Sequence, residues 1–144
     1  MSDIARVSPE DASTLLSQGG YTYVDVRTES EFEGGHPPGA LNVPFMQRGP
    51  AGMVPNAEFV SVMEAAFQKD ARLLLGCQSG NRSRTAAAAL AAAGFSALQE
   101  LRTGWEGSRD AFGRLEPGWS KVGLPLETGL PDGQKYADVR TLKR

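Results

Sequence analysis

The chemistry of this chain gathers at its only cysteine, Cys77. The cysteine closes an apolar run, Leu73-Leu74-Leu75-Gly76, and opens the polar stretch Gln78-Ser79-Gly80-Asn81-Arg82-Ser83-Arg84. An alanine-rich segment, residues 85–93, follows. Apolar run, small polar residues and helix-forming alanines predict a buried strand, a tight loop and a helix. Such a loop can turn its backbone N–H groups inward, and the helix start adds positive potential. A cysteine held there is expected as the thiolate, the nucleophilic form. A lone cysteine at a strand end is more often inert packing. Gly80, Arg82 and the helix behind them tip the reading toward a nucleophile.

The spacing limits what the loop can hold. Cys77 and Arg82 are separated by four residues. Cysteine phosphatases place five residues between the two, and their longer loop encloses a phosphoryl group. The shorter loop makes a smaller bowl, suited to one sulfur atom carried on the cysteine. Cys77-Gln78-Ser79-Gly80-Asn81-Arg82-Ser83 resembles the active loop of single-domain sulfurtransferases of the rhodanese family. Other stretches resemble it too: Asp25-Val26-Arg27-Thr28, Glu31-Phe32, Gly35-His36, Gly39-Ala40 and Asn42-Val43-Pro44 in the first half, and Gly104-Trp105, Trp119 and Gly123-Leu124-Pro125 near the close. Phe45-Met46-Gln47-Arg48-Gly49 is similar to a segment of the plant-type members. The likeness spans about residues 8–125, with an insertion at 108–118 and a polar tail over 126–144. No internal repeat is visible, which argues against a tandem two-domain enzyme.

The resemblance implies a five-stranded, mostly parallel α/β sheet with helices on both faces. It implies a persulfide on Cys77, loaded from thiosulfate or a related sulfane-sulfur donor with release of sulfite, and discharged to cyanide or a thiol. Backbone N–H groups from Gln78 to Ser83, Asn81 and Arg82 included, would stabilise the charge. Gln78 and Ser79 would meet donor or acceptor at the rim, and Gly80 would permit the backbone turn. No metal or organic cofactor is implied. A protein thiol is a further candidate acceptor. Two other readings stay open: a small cysteine phosphatase or arsenate reductase of the same fold, and a binding or sulfur-delivery module.

The elements that must position this loop can be read around it. Ile4 and Val7 allow a first strand. Ser8-Pro9-Glu10-Asp11 predicts a capped helix start, and Gly19-Gly20 its end. Residues 21–26 are β-branched and aromatic, as a second strand requires. Thr28 and Glu31 suit a capping box. Residues 41–43 read as a third strand. Residues 44–53 carry too much glycine and proline for a regular element. Asn56 is expected to cap a helix bearing Phe59, Val60, Met63 and Phe67. Residues 97–101 make a fifth strand after Gly94 closes the alanine helix. Ligands in such sheets lie at the carboxyl ends of the strands, where Cys77 falls. Tyr136, Val139 and Leu142 are spaced as one apolar edge of a short helix, expected to clasp the domain.

Other residues divide between site and scaffold. Asp25 and Arg27 serve either as support for the active loop or as an ion pair holding the strand to its neighbours. Arg82 is expected to act on an anionic donor. Arg48 and Arg84 could do the same, or lie solvated at the surface. His36, the only histidine, reads as structural, and Trp105 and Trp119 as packing. In the insertion, Phe112 and Leu115 could fold inward as a flap over the pocket.

Composition sets the outer bounds. The 144 residues suit one domain, large enough to bury a core without staples. A net charge of −2 gives no basic footprint for nucleic acid. One cysteine leaves no internal disulfide and no resolving thiol. Residues 1–6 show no apolar signal region, and no run approaches the ~20 apolar residues of a membrane span. A reduced cytoplasm is the expected location, with no membrane partner.

Overall fold

The computed structural model describes residues 4–143. Met1, Ser2 and Asp3, within the stretch read as lacking a signal, and Arg144 at the end of the tail lie outside it. Strand β1 (Ala5–Val7) leads into helix α1 (Pro9–Gln18). Ser8 caps α1 by accepting the Asp11 N–H at 3.1 Å, with Pro9 at the first helical position. Strand β2 (Thr22–Asp25) and helix α2 (Glu29–Gly34) follow. Thr28 and Glu31 cap α2 reciprocally, as their spacing predicts. Then come β3 (Leu41–Asn42), β4 (Met46–Gly49), β5 (Gly52–Pro55) and α3 (Phe59–Ala66). The remaining elements are β6 (Leu73–Gly76), α4 (Asn81–Ala92), β7 (Leu98–Leu101), β8 (Gly107–Arg109), β9 (Leu115–Pro117), a 3-10 turn at Trp119–Lys121 and α5 (Tyr136–Val139).

Five strands form one sheet in the order β1-β7-β6-β2-β3, every neighbouring pair parallel. Alternation along the strands sends side chains to two cores. Leu73, Leu75, Val24 and Leu98 meet α3, α4 and α5 on one face. Leu74, Tyr23 and Leu101 meet α1, α2 and the two tryptophans on the other. The strand that ends at Cys77 is thus the middle one, and all four of its residues are buried. A strand covered on both faces must read as a continuous apolar run, and Leu73-Leu74-Leu75 does.

Two expectations are corrected. Residues 44–53 are not irregular: β4 and β5 pair antiparallel, Gly49 opposite Gly52, around the turn Pro50-Ala51. Pro50 sits in the turn itself, where it costs the ladder no donor. Asn56 does not cap α3 directly. Its Oδ1 accepts the Glu58 N–H at 3.1 Å, forming a turn ahead of the helix, which begins at Phe59.

The tail returns to the sheet edge. Asn42 donates its N–H to the Gln134 carbonyl at 2.9 Å, and His36 and Glu127 exchange both backbone bonds at 2.9 Å. Tyr136 and Val139 are buried in the α3–α4 core, while Leu142 is 42% exposed and not part of the seam.

Candidate active site

Cys77 lies at the floor of the loop between β6 and α4, only 1% exposed. Two backbone donors address its sulfur: Gly80 N at 3.1 Å and Ser83 N at 3.3 Å. Ser83 Oγ lies 3.5 Å from Sγ. This is the inward-turned nest that the residue pattern predicts, completed by the first turn of α4.

Gly80 makes the turn possible. Its φ is +94°, and a Cβ there would overlap the Arg102 carbonyl oxygen. The loop is braced from outside by the chain leaving β7. Trp105 N donates to the Cys77 carbonyl at 2.8 Å and Glu106 N to the Gln78 carbonyl at 3.0 Å. Gly104 (φ +67°) allows that approach, since a Cβ on it would stand 2.6 Å from Gln78 backbone atoms. Backbone contacts this close exclude any side chain.

Of the residues singled out in the loop, Gln78 is half-buried, Ser79 and Asn81 are exposed at the rim, and Ser83 is buried. Asp25 and Arg27 form a fully buried pair, with Arg27 Nη2 2.7 Å from Asp25 Oδ2 and Nε bridging both carboxylate oxygens. Arg27 also donates to Gln78 Oε1 at 3.1 Å and lies 5.2 Å from the Trp105 ring centroid. The pair is an ion pair at the strand end, and the second arm of Arg27 reaches the first residue after Cys77. Burial pulls the Arg27 guanidinium down in pKa, and Asp25 more than reverses the effect.

Arg82 is engaged by an acid on α2. It makes a two-pronged bond to Glu31, 2.7 and 2.9 Å, which ties the start of α4 to α2. Partial burial pushes the Glu31 carboxyl up, but hydrogen bonds from Arg82 and Thr28 outweigh it and hold the group at about 2. Arg48 and Arg84 are exposed. Arg48 borders a cleft with Thr28, Ser30 and Gln47. His36 is buried, bonded to the Phe32 carbonyl at 2.7 Å and to Glu127 Oε1 at 3.1 Å, and stacked on Phe32 at 3.7 Å. Trp105 and Trp119 pack in the second core.

The segment 108–118 is a β-hairpin, β8 paired with β9. It stands beside the loop: Ser79, Asn81, Arg84, Arg102, Ser108 and Arg109 border one cleft of about 340 Å³. Phe112 and Leu115 are 82% and 65% exposed, so neither folds inward. Charged neighbours tie the hairpin down instead: Arg102 pairs with Glu116 at 3.0 Å, and Asp110 accepts the Phe112 and Arg114 N–H groups.

Two residues that the sequence reading passed over stand behind the sulfur. Glu100 on β7 is 3% exposed and receives the Ser83 hydroxyl at 3.0 Å. Arg6 on β1 reaches both Glu100, at 3.3 Å, and the Gly80 carbonyl, at 2.8 Å. The signal for Glu100 was its parity with Leu98, which turns it toward the α4 face.

The family model for the rhodanese-like domain matches residues 8–111. The chain is 36% identical over 130 residues to thiosulfate sulfurtransferase 16, chloroplastic, of Arabidopsis thaliana, covering 88% of this chain and 99% of that protein. It is 38% identical over 119 residues to the chloroplastic rhodanese-like domain-containing protein 15 of the same plant, but there it covers 83% of this chain and only 59% of the relative. Among solved structures, Rv0390 from M. tuberculosis superposes with a TM-score of 0.71 at 28% identity, covering 89% of this chain and all of that one. Fold, loop and sequence agree, and the chain belongs to the rhodanese family.

Proposed function

We propose that the protein moves a sulfane sulfur from thiosulfate, or a related persulfide donor, to cyanide or a thiol through a persulfide on Cys77. The observation that carries this reading is the pair of backbone donors, Gly80 and Ser83, at 3.1 and 3.3 Å from the cysteine sulfur. In the first half-reaction the thiolate attacks the outer sulfur of thiosulfate. The S–S bond of the donor breaks, and sulfite leaves with the electron pair. The fixed N–H donors to Sγ stabilise the thiolate that attacks in this step and that leaves in the next, at no reorganisation cost. In the second half-reaction a nucleophile attacks the terminal sulfur, and the thiolate returns. Two half-reactions through a covalent intermediate give ping-pong kinetics. A relative named thiosulfate sulfurtransferase supports thiosulfate as the donor. The phosphatase alternative loses weight because the loop has four residues between Cys77 and Arg82, and because both arms of Arg82 are engaged by Glu31.

Intact-protein mass spectrometry tests the reading. Thiosulfate should add one sulfur to the wild type, cyanide should remove it, and Cys77→Ser should gain none. Transfer by the serine variant, or turnover of an aryl phosphate in place of thiosulfate, would refute the mechanism. A sulfur-delivery module would load normally and discharge to a protein thiol much faster than to small thiols.

A further inference from the structure

The thiol of Cys77 must lose its proton before it can attack, yet the residue is 1% exposed and its loop leaves that proton little contact with water. A route is present inside the protein. Sγ stands as donor 3.5 Å from Ser83 Oγ. The Ser83 hydroxyl stands 3.0 Å from Glu100 Oε1 and 3.3 Å from the Gly80 carbonyl. A serine hydroxyl has one proton and two lone pairs. The bond to a carboxylate is the stronger of its two choices. With that proton given to Glu100, Ser83 can offer the thiol only lone pairs. The donors then run in one direction, S–H to O–H to carboxylate.

We propose that Glu100, acting through Ser83, is the positioning residue that takes the Cys77 proton as the thiolate forms. The S–H bond breaks and its proton joins Ser83 Oγ. The proton that Ser83 carried passes to Glu100 Oε1, and the electron pair stays on sulfur. The products are a thiolate, an intact serine and a neutral carboxyl. Nothing is oxidised or reduced, and no co-reactant is required. Arg6 Nη2 donates to the Gly80 carbonyl at 2.8 Å, and its Nε lies 3.3 Å from the far oxygen of Glu100 without hydrogen-bonding to it. Its partly exposed side chain marks the solvent edge of the network. Among ionisable groups on other elements, Tyr23 on β2 and Arg82 on α4 lie within electrostatic range of Cys77, with Asp25, Arg27 and Glu31 grouped around those two. The variants below retain all of them. The role in turnover rests on the sulfur-transfer reading, whereas the proton step does not.

The test follows alkylation of Cys77 by iodoacetamide across pH, and persulfide formation from thiosulfate, in the wild type, Glu100→Gln, Glu100→Asp and Ser83→Ala. Glutamine keeps the shape and cannot take the proton. Its rates at neutral pH should fall at least about tenfold, as loss of a positioned base does. Its alkylation midpoint should move to higher pH, with rates rejoining the wild type in alkali. Aspartate should restore most of the loss. Ser83→Ala should reproduce the shift, and the double variant should be no worse than either single one, because both act on one path. A mere brace would lower the rates equally at every pH and leave the midpoint in place, which overturns the proposal. Should Glu100→Gln fail to fold, an unshifted midpoint in Ser83→Ala overturns it alone. A shifted alkylation profile in a protein that never loads sulfur would sink the thiosulfate reading and leave the relay standing.

Discussion

Arg82 shows how a residue can be legible in type and not in task. Its place in the loop marked it for the site, and its charge suggested a grip on an anionic donor. Both arms of its guanidinium are taken up by Glu31, a residue 51 positions away. Arg82→Ala should therefore act as loss of a brace. It should cost about 1 kcal/mol of stability, the upper range for a partly exposed pair, and slow thiosulfate and a neutral sulfane donor alike. Denaturant titration beside the two donor rates checks this; selective loss of thiosulfate would return Arg82 to the donor. The same pair has an acid signature. Glu31 is held at about 2, below its ordinary 4.5, so the contribution of the pair is complete above 4.5 and fades as pH falls toward 2. Wild type and Glu31→Gln should differ in thermal midpoint at neutral pH and converge in that acid window. Cys77 was legible because its partners lie within six residues. Glu100 and Arg6 were not, because a carboxylate in a strand declares its partner only once the strands are ordered.

At the scale of elements, the alternation of strands and helices gave the sheet, since each buried strand needs an apolar run and each helix an apolar stripe. The caps at Ser8 and at Thr28 with Glu31 were readable because capping is local. The hairpin β4–β5 was hidden by its own turn, whose glycines and proline suggested irregular chain while leaving the flanking ladder intact. The second hairpin, β8–β9, was readable as an insertion but not as a paired element. It contributes Ser108 and Arg109 to the cleft beside Ser79 and Asn81. It stands next to the rim rather than over the sulfur, so it should govern what approaches after loading. Replacing residues 108–118 with a short glycine-serine link should leave persulfide formation near wild type. Discharge to cyanide, glutathione and a protein thiol should then change unequally, with the anionic glutathione losing most as Arg109 goes. Equal change across the three acceptors would rule out a role for the hairpin in acceptor choice.

At the scale of the whole molecule, the tail is part of the core. Tyr136 is buried, accepts the Asn56 side-chain amide at 3.1 Å and joins the cluster of α3 and α4. Tyr136→Ala should cost roughly 3 kcal/mol, as loss of a buried aromatic does, and leave Asn56 one partner short. Thermal and denaturant melts measure it; a change within experimental scatter would make the tail an appendage. The spacing of Tyr136 and Val139 announced an apolar edge, but not that Gln134 would cover the open side of β3, since an edge has no sequence mark of its own.

The strand order carries a consequence in time. Arg6 meets Gly80 across 74 residues, and β1 pairs with β7, which lies more than 90 residues further on. During synthesis the cysteine emerges before the strand and the turn that roof its nest, so the nascent chain presents an unshielded thiol until Trp105 and the strands beside it have docked. Closure over such long separations is slow relative to helix formation. The interval before closure is when an oxidant or a stray electrophile would find Cys77 undefended.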